Sequence, residues 1–262
     1  MKRLITVILV LIVPALFAEN CDVALKEVIE GMNGPYAPVD QSPARPMVQT
    51  SRGLGDILLT IDALALGIDG PSGITWDGTY LYVMSLMNDS CYVVDPTVPA
   101  VVYGFPTPPT NSFGIGQEQH LWLTCLTTDS IYEYTHVGVP TGNGFPALEG
   151  DASWFADGSE WWQDGEIWFV AVGGTNNTYK FEIPSGTVLD SMSHPRWASS
   201  AQRGITYDPF RKTFWIGGWV SDSVWEVDRN GVPTGREFYM DGCAGIAYDW
   251  QSTLHPYPVL WI

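Results

Sequence analysis

The chain has 262 residues, of which 45% are apolar, 13% aromatic and only 16% charged. Soluble domains carry about 25% charged residues, so this composition excludes a disordered chain, a coiled coil and a collagen. The 29 acidic residues outnumber the 12 basic ones, which gives a formal charge of −17. An acidic surface argues against nucleic acid and against an anionic membrane as partners.

Residues 1–18 have the layout of a secretory signal peptide. Lys2 and Arg3 precede an apolar run over residues 4–13, and the small residue Ala18 follows. The run is too short to span a bilayer, and no second segment is apolar enough to anchor the chain. We therefore expect a protein that is secreted, periplasmic or on the cell surface, with no membrane span. The alternative interpretation of the run is a buried apolar strand.

Four cysteines would reach an oxidising compartment after export, and three complete pairings are open to them. No CxxC motif occurs, so neither a structural zinc site nor thioredoxin-like chemistry is supported. Buried free thiols are the alternative to disulfides. The four are Cys21, Cys91, Cys125 and Cys243.

Residues 19–54 are expected to form a short helix and a linker. Residues 22–31 begin with Asp22 as a helix cap and end at Gly31 as a stop signal. Residues 33–52 contain four prolines and are typical of an extended segment.

A unit of 40 to 47 residues repeats over the rest of the chain. Five apolar strands carry an aromatic residue at the second position: Tyr82, Trp122, Trp168, Trp215 and Trp261. A glycine begins another strand upstream of each one: Gly73, Gly114, Gly158, Gly204 and Gly245. Two features that recur in register at this period predict a repeat architecture.

Two further strands complete each unit. The third strand has its own aromatic residue, such as Tyr92 or Trp225, and turn residues such as Pro140-Thr-Gly or Pro233-Thr-Gly lead to a fourth run. Four short strands in about 45 residues, rich in β-branched and aromatic side chains, predict the blade of an all-β β-propeller. At least five such repeats are visible over residues 55–262.

The segments GITWDGTYLYV (73–83) and GITYDPFRKTFWIGG (204–218) resemble repeats of secreted bacterial β-propellers of the NHL-repeat and gluconolactonase-like groups. The likeness covers residues 55–262. It implies a propeller fold, but these groups include lactonases, lyases, quinone-dependent enzymes and binding modules, so it does not select a function.

The fifth unit is incomplete, because the sequence stops at Ile262 just after its second strand begins. Residues 56–65 are strand-like and precede the first unit, so we expect them to complete the last blade as its outer strand. The third strand of that blade has no counterpart after Ile262. The sequence thus predicts a chain that is incomplete at its C-terminal end, with an open strand edge that favours aggregation.

In propellers of this kind, two sets of loops surround the central channel on one face: those that lead into the first strands, and those that join the second and third strands. The repeated pairs Asp89-Ser90, Asp129-Ser130 and Asp222-Ser223 in the second set are expected to be turn residues, since Asp and Ser bond their own backbone. The ligand-binding candidates lie in the loops that lead into the first strands: Asp69, Asn111, Asp157, Arg203 and Asp241. Residues that break the repeat are the better candidates, and Arg203 is one of them. Arg203 could bind an acidic group, or simply pair with Asp157 or Asp241.

Acidic residues crowd the start of the third unit and could bind Ca²⁺, which takes about six to eight oxygen ligands. The candidate ligands are Asp151, Asp157, Glu160 and Asp164, although a solvated acidic loop is the simpler interpretation. The four histidines fall at four different places in the repeat and form no metal triad, and His120 is expected to be a turn residue.

No hydrolase, zincin, phosphate-loop or dinucleotide motif occurs. The sequence therefore favours a binding or interaction module whose ligand, a small molecule, a glycan or a protein, lies on the loop face. A hydrolase or lyase that acts on a lactone or glycan with a divalent cation is the alternative. A propeller segment of a larger surface protein is a third hypothesis.

Overall fold

A computed structural model describes the chain over residues 7–11, 53–108, 112–117, 119–125, 127–147, 155–158, 166–171, 177–193, 202–219, 221–250, 252 and 254–262. The described residues form strands and turns and contain no helix. The strands are β1 (Val7–Leu11), β2 (Ile57–Ile61), β3 (Pro71–Trp76), β4 (Leu81–Ser85), β5 (Ser90–Asp95), β6 (Ala100–Pro106), β7 (Ser112–Gln117), β8 (Leu121–Cys125), β9 (Ser130–Tyr134), β10 (Pro140–Pro146), β11 (Phe155–Gly158), β12 (Glu166–Ala171), β13 (Asn177–Glu182), β14 (Thr187–Ser193), β15 (Gln202–Asp208), β16 (Thr213–Gly218), β17 (Ser223–Val227), β18 (Pro233–Tyr239), β19 (Ala247–Asp249) and β20 (Val259–Trp261).

These strands form five antiparallel sheets of four strands each, which confirms the all-β propeller fold. Blades 1 to 4 are β3–β6, β7–β10, β11–β14 and β15–β18, each in sequence order from the inside outward. Blade 5 has the order β19-β20-β1-β2. The innermost strands contact one another in succession, and a contact between β19 and β3 brings the first and last blades together.

Glycines allow the innermost strands to approach closely. A Cβ atom on Gly73 would lie 2.6 Å from the carbonyl oxygen of Phe113, and one on Gly245 would lie 2.7 Å from that of Ser72. Both distances are too short for any side chain, so these positions require glycine. Nearby, the Ser72 hydroxyl donates a hydrogen bond of 2.9 Å to the Phe113 carbonyl, which joins blades 1 and 2.

In the four second strands whose side chains are described, the aromatic residue at the second position lies in the core, as the repeat predicts. Trp122, Trp215 and Trp261 are at most 1% exposed, and Tyr82 is 2% exposed. Each blade is covered on both faces by its neighbours, so large apolar side chains fill the space between the sheets.

In the third unit, the sequence-based register is wrong by two residues. Trp168 pairs with Gly158, whereas the equivalent Tyr82 pairs with Thr75 and Trp215 with Thr206. Gly158 therefore occupies the position of Thr75 and Thr206, and Ala156 takes the place of the close-approach glycine. A glycine by itself does not mark the register. Gly158 lies two residues after the close-approach position, which is occupied by Ala156.

The sequence predicts turns at the Pro-Thr-Gly segments, but in the structure these segments are the first residues of strands. Pro140 and Pro233 begin β10 and β18, and the register of each strand shifts immediately afterwards. Gly142 and Gly235 have φ values of 91° and 88°. A β-bulge that needs a left-handed residue explains the glycine at these positions.

Blade 5 is built from both ends of the described chain. β2 is its outermost strand, as the sequence predicts for residues 56–65. The third strand, which the sequence analysis finds missing after Ile262, is β1, and it pairs antiparallel with both β20 and β2. The apolar run at residues 4–13 thus contributes a strand here, while its role as a signal peptide stays a prediction.

The short helix expected at residues 22–31 and the linker at 33–52 lie outside the described residues. Within the described part of the chain, no helix is long and apolar enough to cross a membrane.

Candidate functional site

The repeated Asp-Ser pairs lie at turns, as predicted, with the aspartate in the turn and the serine as the first residue of the third strand. Asp89, Asp129 and Asp222 all have left-handed φ values, between 45° and 48°. Their carbonyl oxygens accept hydrogen bonds from the backbone just after the outermost strand of the same blade, from Thr107, Ala147 and Met240. The serine that follows each aspartate donates to the carbonyl two residues before it. These residues join the turn before the third strand to the end of the fourth strand, and they do so in blades 1, 2 and 4 alike.

The loop face is the face formed by these turns and by the segments that lead into the innermost strands. Asp69 and Asp241 lie on it, in adjoining blades, and both are exposed. Asp69 is held through its backbone, since its carbonyl accepts a hydrogen bond of 2.5 Å from the Ser85 hydroxyl. The segment around Asp241 is fixed by Asp222, whose side chain accepts a 3.1 Å bond from Gly242 N. Two predicted ligand residues therefore share one exposed, anchored surface.

Of the other three predicted ligand residues, two lie in strands instead of loops, and one lies outside the described residues. Asp157 and Arg203 belong to strands β11 and β15, not to the loops before them. Asp157 pairs with Phe169 and occupies the position that Ile74 and Ile205 have in other blades. The wrong placement of Asp157 in a loop comes from the two-residue error in the predicted register of the third unit. Asn111 lies outside the described residues.

The predicted calcium ligands are not tested by the structure. Asp151, Glu160 and Asp164 lie outside the described residues, and only the backbone of Asp157 is described. Among the described side chains, no three His, Cys, Asp or Glu residues converge on a point that could hold a metal ion. Cys91 and Cys243 are buried free thiols, and Cys125 is buried as well. Burial raises the pKa of the Cys91 and Cys243 thiols, which opposes thiolate formation.

A polar cluster on the face opposite to the loop face combines a carboxylate with a histidine. Glu133, in β9, accepts hydrogen bonds at Oε2 from Thr141 Oγ1 at 2.5 Å and from Asn143 Nδ2 at 2.7 Å. Its other oxygen, Oε1, lies 2.8 Å from His120 Nδ1. The side chain of His120 is 40% exposed and that of Glu133 is 11% exposed. The histidine therefore connects a largely buried carboxylate to solvent.

Hydrogen bonding decides the charge state of this carboxylate. Partial burial acts to raise the pKa of Glu133, but the hydrogen bonds from Thr141, His120 and Asn143 outweigh it and lower the pKa. Glu133 is thus an anion at neutral pH, and it orients the imidazole through Nδ1. The imidazole is held through Nδ1 while its side chain stays 40% exposed, so the ring is oriented at the surface of the protein.

Blade 4 has an equivalent cluster in which the carboxylate is fully buried and bound by two arginines. Glu226 has the strand position of Glu133, because Trp215 pairs with Glu226 as Trp122 pairs with Glu133. It is 0% exposed, and its oxygens accept hydrogen bonds from Arg211 Nε at 2.7 Å and Arg236 NH1 at 3.0 Å. Thr213 and Thr234 add bonds of 2.8 and 2.6 Å. Burial acts to raise the pKa of Glu226, but the bonds from Arg211 and the threonines and the charge of Arg236 lower it.

A second buried carboxylate lies between blades 4 and 5. Asp208, at the end of β15, accepts backbone hydrogen bonds from Phe210 and Arg211 at 3.0 and 3.1 Å. Burial is the main cause that raises its pKa to about 6, and the charge of Glu226 adds to it. The Tyr248 hydroxyl interacts with Asp208, and burial raises the pKa of Tyr248 well above its ordinary value.

Sequence reasoning assigns His120 to a turn and does not select Glu133. A signal was available in the repeat. Glu133 and Glu226 have the same place in their units, and each is followed eight residues later by the threonine of a Pro-Thr-Gly segment, Thr141 or Thr234. The other units have Val93 and Lys180 at this position.

Comparison with known proteins supports the fold alone. No family model matches the chain, and no curated protein sequence matches it. Among solved structures, a streptogramin B lyase is 16% identical, with a TM-score of 0.46 over 79% of this chain and 68% of that one. A catalytically inactive virginiamycin B lyase from Staphylococcus aureus is 16% identical, with a TM-score of 0.45 over 73% and 65%. The glutaminyl cyclase of Myxococcus xanthus is 10% identical, with a TM-score of 0.52 over 74% and 89%. The likeness to the glutaminyl cyclase, together with the five four-stranded sheets, supports a β-propeller fold for this chain.

Proposed function

We propose that the protein is a secreted β-propeller binding module whose loop face binds a positively charged ligand. The distribution of charge on the described side chains supports this. The loop face carries Asp69, Asp89, Asp129, Asp222 and Asp241, and no described lysine or arginine side chain lies on it. An acidic face raises the local concentration of cations and cationic groups.

The basic residues with described side chains lie elsewhere. Arg211 and Lys212 are in the turn between β15 and β16, and Arg229 is in the turn between β17 and β18, both on the face opposite to the loop face. Arg236 is bound to Glu226. Among the described side chains of blade 4, which do not include that of Arg203, the two faces therefore differ in charge, and this favours the loop face for a cationic ligand.

The proposed secretion is supported by residues 1–18, with Lys2 and Arg3 before an apolar run. Membership of the NHL-repeat and gluconolactonase-like groups remains a proposal from the segments at 73–83 and 204–218. Export is tested by the N-terminal sequence and intact mass of the protein recovered outside the cell. A mass that still includes residues 1–18 would contradict cleavage of a leader.

Binding is tested with a hexalysine peptide and with spermine, titrated calorimetrically at several salt concentrations. Asp69→Asn and Asp241→Asn should each weaken binding by about three- to tenfold, because each removes a charge from the proposed surface. Asp190→Asn is the matched control, since Asp190 is exposed on the outer strand β14. An equal effect of the control, or no binding by the unmodified chain, would overturn the proposal.

The alternative function is a hydrolase or lyase that acts on a lactone or a glycan with a divalent cation. The observation in its favour is the pair His120 and Glu133, which could take up a proton at the surface. Turnover of lactone and glycan substrates should then be lost with His120→Gln, and with a chelator if Ca²⁺ takes part. Unchanged turnover in the His120→Gln variant would remove the pair from the reaction.

A further inference from the structure

The turn between β9 and β10 of blade 2 packs on blade 1 through three contacts. The ring of His136 lies edge-on against the ring of Tyr82, with 5.6 Å between the ring centroids and 69° between the planes. The hydroxyl of Tyr103 donates a hydrogen bond of 2.7 Å to the carbonyl of His136. A Cβ atom on Gly138 would overlap the ring of Phe105, so the backbone of the turn lies directly against blade 1. We call these three contacts the blade 1–2 seam.

Titratable groups from several segments surround the imidazole at this seam. Tyr82 and Tyr103 contact His136 from β4 and β6. Asp77, in the turn between β3 and β4, and His120, in the turn between β7 and β8, act on it through their charges. Burial is the main cause that lowers the pKa of His136, the charge of Asp77 opposes this, and the charge of His120 adds to it. A pKa below the ordinary value of about 6.5 leaves this histidine neutral at pH 7.

Blade 4 has an arginine at the same place in its turn. Arg229 comes two residues after the end of β17, as His136 comes two residues after the end of β9. The guanidinium of Arg229 lies over the ring of Tyr207, 5.6 Å from its centroid. An arginine keeps its charge at every physiological pH, whereas a histidine changes its charge within that range. The two equivalent turns therefore differ in their response to protons.

The backbone of the two turns is bonded in the same way. In each turn the first residue donates to the carbonyl of the fifth, and the fourth donates to the carbonyl of the first. The donors are Thr135 and Gly138 in blade 2, and Asp228 and Gly231 in blade 4, with distances of 2.9 to 3.0 Å. Blade 4 thus supplies an internal control for the turn of blade 2.

Protonation of His136 acts against the seam. It places a positive charge in a half-buried position, against the ring of a tyrosine that is 2% exposed, and a buried charge costs free energy. Because the folded pKa of His136 lies below the unfolded one, the stability that the neutral ring gives to the seam is fully present above about pH 6.5. That stability is lost as the pH falls from there towards the folded pKa.

We propose that the blade 1–2 seam is a pH-sensitive contact, which is closed while His136 is neutral and opens in mildly acidic solution. The turn that opens joins β9, which carries Glu133, to β10, which carries Thr141 and Asn143, the two residues that donate to Glu133 Oε2. Opening of the turn therefore loosens the cluster that holds His120. The face opposite to the loop face changes with pH at blade 2 and keeps its structure at blade 4. This inference does not depend on the ligand of the loop face.

The experiment is hydrogen exchange of backbone amides in the full chain, measured by NMR at pH 5.0 and 7.5 and corrected for the intrinsic pH dependence of exchange. Protection of the Thr135 and Gly138 amides should fall at least about fivefold from pH 7.5 to pH 5.0. Protection of the Asp228 and Gly231 amides should change less than about twofold, because their turn contains no histidine. A change in global stability would act on both turns alike, so an equal fall in both would overturn the proposal.

The test variant is His136→Phe, which keeps an aromatic ring against Tyr82 and has no group that titrates. In this variant Thr135 and Gly138 should keep their protection at pH 5.0, and a fall as large as in the unmodified chain would overturn the proposal. Arg229→Gln is the matched control from blade 4 and should leave the fall at Thr135 and Gly138 unchanged.

A second measurement decides the question if His136→Phe does not fold. The ring resonances of His136 are followed by NMR in the unmodified chain from pH 4.5 to 8. A titration midpoint below the ordinary histidine value of about 6.5 supports the proposal. A midpoint at or above that value would overturn it, because the seam would then bind the protonated ring at least as well as the neutral one.

Discussion

Glu133 and Glu226 have the same strand position and the same neighbouring threonine, yet they lie in different surroundings. Glu226 is fully buried and shares its charge with two arginines, Arg211 and Arg236. Glu133 is bonded to a histidine that is 40% exposed, and an asparagine stands where blade 4 has Arg236. A carboxylate enclosed by two cations has no capacity left for a ligand, whereas one that orients a surface imidazole retains it. The repeat therefore supplies one scaffold, and the residues around it decide between a structural and a chemical role.

The largest effect is expected from Glu226→Gln. Removing this charge leaves the partly buried Arg211 and Arg236, which are 27% and 19% exposed, without their anion, which costs about 3–5 kcal/mol. The free energy of unfolding in urea measures the loss. A combined variant in which Glu226, Arg211 and Arg236 are replaced by apolar residues should lose less, because no charge is left unpaired. A loss below about 1 kcal/mol in Glu226→Gln would show that the cluster is not structural.

Asp208→Asn should stabilise the protein at pH 7. The folded pKa of Asp208 is raised to about 6, above its unfolded value, so the folded state binds more protons than the unfolded state between pH 4 and 6. The contribution of this group to stability is present below pH 4 and falls by roughly 3 kcal/mol as the pH rises through 6. The variant should lack this decline, as measured by unfolding at pH 4, 5, 6 and 7. An unchanged decline in the variant would contradict the assignment to Asp208.

Glu133→Gln is the matched counterpart of Glu226→Gln, and it should cost only about 1 kcal/mol, because its partners are neutral or exposed. The folded pKa of Glu133 is lowered. Its contribution is therefore present above the unfolded pKa and is lost as the pH falls through the lowered folded pKa. Unfolding measured at pH 3 and pH 7 tests this. A cost equal to that of Glu226→Gln would erase the distinction between the two blades.

The smallest effect is expected from His120→Gln, below about 0.5 kcal/mol, because pairs at the surface contribute little. Arg211→Gln is the control from blade 4 and should cost more, since it removes a partner of the fully buried Glu226. Urea unfolding of the two variants gives the comparison. If His120→Gln destabilised the protein as much as Arg211→Gln, His120 would be a structural residue like Arg211.

Much of the architecture could be predicted from the sequence, because a repeated unit displays its pattern several times. The aromatic positions, the Asp-Ser turns and the outer strand β2 all follow from recurrence and spacing. The register of the third unit could not, since Gly158 resembles the close-approach glycine and only its pairing with Trp168 shows otherwise. The cluster around Glu133 was also missed, because its members are separated by up to 23 residues and meet only when three strands align.

The sequence by itself determined the class of fold, the acidic character and the local turn chemistry of this protein, since these depend on periodicity, composition and short-range bonds. The tertiary structure alone decided which glutamate is enclosed and which is open, because burial depends on the neighbouring blade. It also decided that Val7–Leu11 lies between β20 and β2. An apolar run specifies only that it avoids water, and the facing strands determine where it is buried.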